Sequence, residues 1–163
     1  KKTYKKHKDF KLIIAGKIDK KSLPYYKHLL TLTERRGDIS FVLSPADTVL
    51  QKLYAQSTAV VLPSFNEDWG IAALEANASA KPVIAINSGG HTESQIDGVT
   101  GFLVPPRYGD AVAKMHILAN NKELVDKMGK NGRKNAQRYS WNHFVTRIDT
   151  ILAAVASLKT KRQ

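Results

Sequence analysis

Short apolar runs of four to six residues recur along this chain, each closed by a turn-forming residue: KLIIAG from Lys11, ISFVL from Ile39, TAVVL from Thr58, VIAI from Val83 and GFLV from Gly101. Runs apolar at consecutive positions suit strands covered on both faces, as in parallel sheets. The segments between them carry helical spacing. Such alternation predicts an α/β fold, a Rossmann-like parallel sheet with right-handed crossovers and helices on both faces. Ligands on these sheets bind beyond the carboxyl ends of the strands. Those ends fall here at Gly16, Ser44, Pro63 to Trp69 and Asn87 to Gly90.

The helix starts are read from capping chemistry. Ser22 with Pro24 in the first turn predicts a helix to Arg36, stopped by Gly37. Ser44-Pro45-Ala46-Asp47 predicts a second, with Ser44 as cap and Pro45 first, running to about Gln56. Further helices are expected over Asp110 to Ala119 and Lys122 to about Arg138, and in a last segment capped by Ser140. That segment carries Trp141, Phe144, Val145, Ile148, Ile151, Leu152 and Val155 at helical spacing, its start expected in the core. Residues 1–9 read as the end of a helix.

With 163 residues and 42% of them hydrophobic, the chain has room for a single domain. It contains no cysteine, so disulfides and thiolate metal sites are excluded. No apolar run approaches the ~18–20 residues of a membrane span. A formal charge of +12 favours phosphate-bearing ligands, nucleic acid or an anionic membrane. Neither the P-loop nor the G-x-G-x-x-G pattern is present. His7, His28, His91, His116 and His143 are scattered, which favours surface or packing roles over metal binding, and no Asp-x-Asp pair offers to hold a divalent metal.

The informative stretch is LPSFNEDWGIAALEANASAKPVIAINSGGHTE, from Leu62 to Glu93. Its helix, Gly70 to Ala80, is apolar around most of its circumference and is expected to be largely buried, which makes Glu75 a costly charge in want of a partner. Glu67 precedes the same helix. A helix start suits an anion, and carboxylates suit hydroxyls; a phosphorylated sugar offers both. On spacing alone Glu67 is equally a solvated loop acid, and Glu75 a salt-bridged rim residue. Gly89-Gly90 is either a phosphate-binding nest or a tight turn.

The setting PSFNEDWGIAALEA, followed by KPVIAINSGGHTES and GVTGFLVPP, resembles the C-terminal domain of family 4 retaining glycosyltransferases of the GT-B fold. The likeness runs from about Lys11 through the SWNHF helix. Within that family, LIIAGKID and NSGGHTES look most like the lipid-linked-oligosaccharide mannosyltransferases that use GDP-mannose.

The resemblance implies a donor-binding domain whose first strand and N-terminal acceptor domain precede Lys1, so that this chain alone transfers nothing. It implies Glu67 as the catalytic position, bonding donor-sugar hydroxyls, with Asp68, Trp69, Gly70 and Ile71 along the sugar and distal phosphate. Gly16, Gly89 and Gly90 would lie by the diphosphate, Glu75 on the ribose, and Val42, Leu43 and Ser44 near the base. No residue is expected to act as a nucleophile, and no metal or cofactor is expected; the nucleotide sugar is a substrate. The partners implied are that donor and a glycan or glycolipid acceptor, with a cytoplasmic location or peripheral attachment at the cytosolic membrane face. Asp68 stands where the family commonly has glycine, and Ser44 where many members do. A nucleic-acid-binding basic domain and a GT-B sugar-nucleotide epimerase are the alternatives; the first lacks any RNA-recognition signature, so no nucleic acid is expected.

Overall fold

The computed structural model describes residues 10–160, so the reading of residues 1–9 as helical lies outside the described residues. The elements are β1 (Leu12–Gly16), α1 (Leu23–Thr33), β2 (Ile39–Leu43), α2 (Asp47–Gln56), β3 (Val60–Leu62), α3 (Ile71–Ala78), β4 (Val83–Ile86), α4 (His91–Ser94), β5 (Gly101–Val104), α5 (Tyr108–Ala119), α6 (Lys122–Ala136) and α7 (Trp141–Thr160). All the predicted strands form. Two compact units divide between Lys52 and Leu53, inside α2.

In the first unit β1 and β2 pair in parallel, Leu12 opposite Ile39 through Gly16 opposite Leu43. Tyr26 of α1 meets Phe41 of β2 edge-on, with ring centroids 5.4 Å apart. These strands were expected to be buried and are not: Leu12 and Ile13 are 39% and 45% exposed. A two-stranded sheet consists of two edges, so each strand has a neighbour on one side only. Ser22 takes the predicted cap position of α1, but its side chain makes no capping bond. Its amide donates to Asp19 Oδ1 at 2.7 Å instead. Ser44 does not cap α2, which starts at Asp47; it adopts a left-handed φ of 46° and donates its amide to the Gly16 carbonyl at 2.9 Å.

The second unit is built on the parallel sheet β3-β4-β5. β4 is buried at every position, and its side chains divide by the two-residue period of a strand. Val83 and Ala85 join Ala73 and Ala76 of α3, with Tyr54, Val60, Leu62 and Leu103 alongside. Ile84 and Ile86 face the other way, onto Val104, Leu118 of α5 and Met128 of α6. Helices thus cover both faces, as the unbroken apolar runs predicted.

The end of α3 approaches the middle of α6 closely enough to require glycine. A Cβ at Gly129 would meet the Ala80 carbonyl carbon at 2.8 Å, and one at Gly132 would meet Asn77 Nδ2 at 2.8 Å. Ser140 caps α7, its Oγ accepting from the His143 amide at 3.2 Å. The start of α7 does not enter the core, contrary to expectation. Trp141 and Phe144 are 81% and 56% exposed, and their rings meet each other edge-on at 5.8 Å.

Candidate functional site

After Pro63 ends β3, the loop from Ser64 to Gly70 leads into α3 with no regular structure of its own. Its shape comes from the segment that follows β4. The Gly90 amide donates to the Glu67 carbonyl at 2.6 Å, and Ser88 Oγ donates to Asn66 Oδ1 at 3.0 Å. Asn66 sits at φ 54°, the left-handed region that asparagine tolerates better than most residues. A Cβ at Gly89 would lie 2.9 Å from the Glu67 nitrogen, and one at Gly90 would lie 2.6 Å from the Asp68 carbonyl oxygen. Two bare Cα atoms therefore let one backbone lie directly on another.

The same loop is held at its ends and along one side. His91, buried at the start of α4, places Nε2 3.1 Å from Ser64 Oγ. Trp69 packs edge-on against Tyr139, centroids 5.5 Å apart, and the Tyr139 hydroxyl donates to the Glu93 carbonyl at 3.0 Å. Gly70, at φ 80°, turns the chain into α3, and no side chain caps that helix. α3 thus begins four residues after the half-buried Glu67, with no side chain capping its first N–H groups.

Glu75 is where the sequence reading needs correction. The expected buried charge is exposed, because α3 buries only the stripe of Ala73, Ala76 and Asn77, while Ile71, Glu75 and Ala78 lie on its open face. It has a partner all the same: Tyr54 Oη donates to Glu75 Oε2 at 2.9 Å. Burial, and then the adjacent carboxylate, push the Tyr54 phenol above its ordinary value, so it stays a donor.

Beneath α4 lies a buried polar network. Gln95 Nε2 donates to Asn77 Oδ1 at 3.0 Å, Thr100 Oγ1 donates to Gln95 Oε1 at 3.0 Å, and Asn135 Nδ2 donates to the Ser94 carbonyl at 2.8 Å. These bonds tie α4 to α3, α6 and the turn before β5. A satisfied buried network of this kind fixes one arrangement of its elements.

With this geometry in view, the model for Glycosyl transferases group 1 matches residues 1–135. The chain belongs to this glycosyltransferase family. It is 36% identical over 139 residues to an uncharacterized glycosyltransferase of Methanocaldococcus jannaschii, covering 84% of this chain and 38% of the relative. It is 30% identical to the alpha-1,3/1,6-mannosyltransferase of Dictyostelium discoideum, covering 86% of this chain and 35% of that protein. Among solved structures, the C-terminal domain of a group 1 family protein from Francisella tularensis is 27% identical with a TM-score of 0.74, covering 82% of this chain and 71% of that one. The chain thus spans little more than a third of the two curated relatives. Its fold is that of the GT-B glycosyltransferases.

Within this glycosyltransferase domain the residues singled out from sequence fall into separate groups. Glu67, Asp68 and Trp69 lie in direct backbone contact with Gly89 and Gly90, and Gly70 and Ile71 follow them into α3. Trp69 and Ile71 are 39% and 65% exposed. Gly16 and Ser44 meet through their backbones in the first unit, where the ends of β1 and β2, with Lys17, Tyr25 and Leu43, line a groove. His91, Tyr139 and Tyr54 escaped the sequence reading as parts of the site. His91 stood in the NSGGHTES motif directly after the glycine pair, without a role of its own; the two tyrosines gave no signal, since their partners lie tens of residues away.

Proposed function

We propose that this chain is the donor-binding domain of a retaining, metal-independent hexosyltransferase, passing mannose or a related sugar from GDP-mannose or a similar nucleoside diphosphate sugar to a glycan or glycolipid. The observation that carries the reading is the uncapped start of α3, which follows directly on a loop that holds Glu67 and is braced from the segment after β4. Helix-start N–H groups stabilise the charge that grows on a departing diphosphate, and need no metal to do so. Glu67 bonds hydroxyls of the donor sugar, and Asp68 to Ile71 line sugar and distal phosphate. Glu75 takes the ribose hydroxyls. The likeness to a mannosyltransferase supports the choice of sugar. Peripheral association with an anionic membrane suits the +12 charge.

The test is a calorimetric titration with GDP, UDP, ADP and their sugar conjugates, with and without magnesium. Selective, magnesium-independent binding of one nucleoside diphosphate is the expected result. Binding that requires magnesium overturns metal independence. Indifference to every nucleotide together with salt-dependent RNA binding overturns the whole reading. In the complete enzyme, an epimerised nucleotide sugar without transfer would mark an epimerase.

A further inference from the structure

One imidazole touches both ends of the loop that carries Glu67. His91 is 1% exposed; its Nε2 lies 3.1 Å from the hydroxyl of Ser64, where the loop leaves β3. The adjoining Nδ1–Cε1 edge of the ring lies against Gly70, where the loop enters α3. A Cβ at Gly70 would be 2.9 Å from Nδ1 and 3.3 Å from Cε1. The preceding residue, Gly90, bonds the middle of the loop at the Glu67 carbonyl. Nδ1 makes no hydrogen bond, and Ser94 Oγ beside it is likewise unpaired. One nitrogen of this enclosed ring is bonded and the other is not, and an unpaired buried polar atom costs free energy.

We propose that His91 is a positioning residue, a rigid spacer that sets the distance between the end of β3 and the start of α3. It thereby sets the direction in which Glu67 and the first N–H groups of α3 face. The flat ring has only two rotatable bonds and is enclosed between Ser64 and Gly70, which limits the spans those two positions can take. Held this way, the loop need not reorganise when a ligand arrives. The proposal rests on the donor-binding reading for its ligand, but not for its geometry.

The experiment compares Ser64→Ala, His91→Phe and His91→Gln in a Trp141→Phe background, so that Trp69 is the fluorescent reporter. Three readouts are taken on each folded variant: exchange of the Gly90 amide, acrylamide quenching of Trp69, and affinity for the nucleotide sugar found by titration. Losing the Ser64 bond should speed Gly90 exchange about tenfold and weaken donor binding by a similar factor. His91→Gln, whose amide reaches Ser64, should bring both back to within about threefold of the parent. Ser64 is half-buried, so Ser64→Ala leaves the core intact if His91→Phe does not fold. Unchanged exchange and quenching in Ser64→Ala overturns the positioning role. Altered loop readouts in a protein that binds no nucleotide sugar uphold it while the donor reading falls. Firm donor binding that Ser64→Ala and His91→Phe leave untouched does the reverse.

Discussion

The amide of Gly90 reaches the carbonyl of Glu67 at 2.6 Å, joining the turn after β4 to the loop after β3 by backbone alone. No side chain fits between these two segments. Gly90→Ala would drive a methyl group into the Asp68 carbonyl, and Gly89→Ala into the Glu67 backbone at a φ of 56°. Each should destabilise the protein by about 1–3 kcal/mol in urea titrations and displace the Glu67 loop. Gly98, at φ 70° with open space around it, is the control. Gly98→Ala should cost about 1–2 kcal/mol from backbone strain and leave the loop in place.

Tyr54→Phe tests the assignment of Glu75. The variant removes the donor to a carboxylate that is otherwise free to swing in solvent. Stability should change by no more than about 1 kcal/mol, whereas affinity for the complete nucleotide should fall several-fold. Glu75→Gln should give a similar or larger loss. Nucleotide affinity equal to wild type in both variants removes Glu75 from the ribose site.

Two glycines on α6 give a prediction of sign. In an exposed helix, glycine to alanine gains about 0.5–1 kcal/mol. At Gly129 the new methyl would press on the Ala80 carbonyl, and at Gly132 on the Asn77 amide. Both substitutions should therefore lower the denaturation midpoint, with Gly129→Ala the more severe because backbone cannot move aside. A stabilised Gly129→Ala protein would contradict the close approach of α3 and α6.

His91 makes stability depend on pH. Burial holds its imidazole below the ordinary value of 6.5, with the Glu67 carboxylate opposing in part. The unfolded chain therefore takes up the proton first as pH falls. The contribution of the neutral ring is full above about pH 6.5 and is lost as pH falls from there toward the folded-state pKa. Urea midpoints measured from pH 7.5 down to pH 5 should drop less for His91→Gln than for the parent. Equal slopes would show that His91 does not titrate differently in the folded state.

The strands and the glycine pair were legible because their causes are local. An unbroken apolar run such as Val83–Ile86 needs cover on both faces, and the fold supplies it. The acidic loop and the glycine pair were singled out in the sequence, and the structure bonds Gly90 to the Glu67 carbonyl. Glu75 was misread because α3 looks apolar all round when alanines are counted as core; only the stripe through Ala73, Ala76 and Asn77 is buried. Ser44 was misread because serine before proline signals a cap, whereas here the backbone turns left-handed and bonds Gly16. The network through Asn77, Gln95, Thr100 and Asn135 left no signal, since amides in a sequence do not announce their partners.

The loop from Ser64 to Gly70 owes its contacts to residues that come some twenty to seventy positions later in the chain. Such contacts carry a loop-closure cost that must be met before they repay it. The shape of the loop depends on the segment that follows β4, and so on the pairing of β4 with β3 and the seating of α4. In refolding, the surface around Glu67 should therefore order after the sheet beneath it. A pulse-labelling experiment should find the Gly90 amide protected later than the amides of β4.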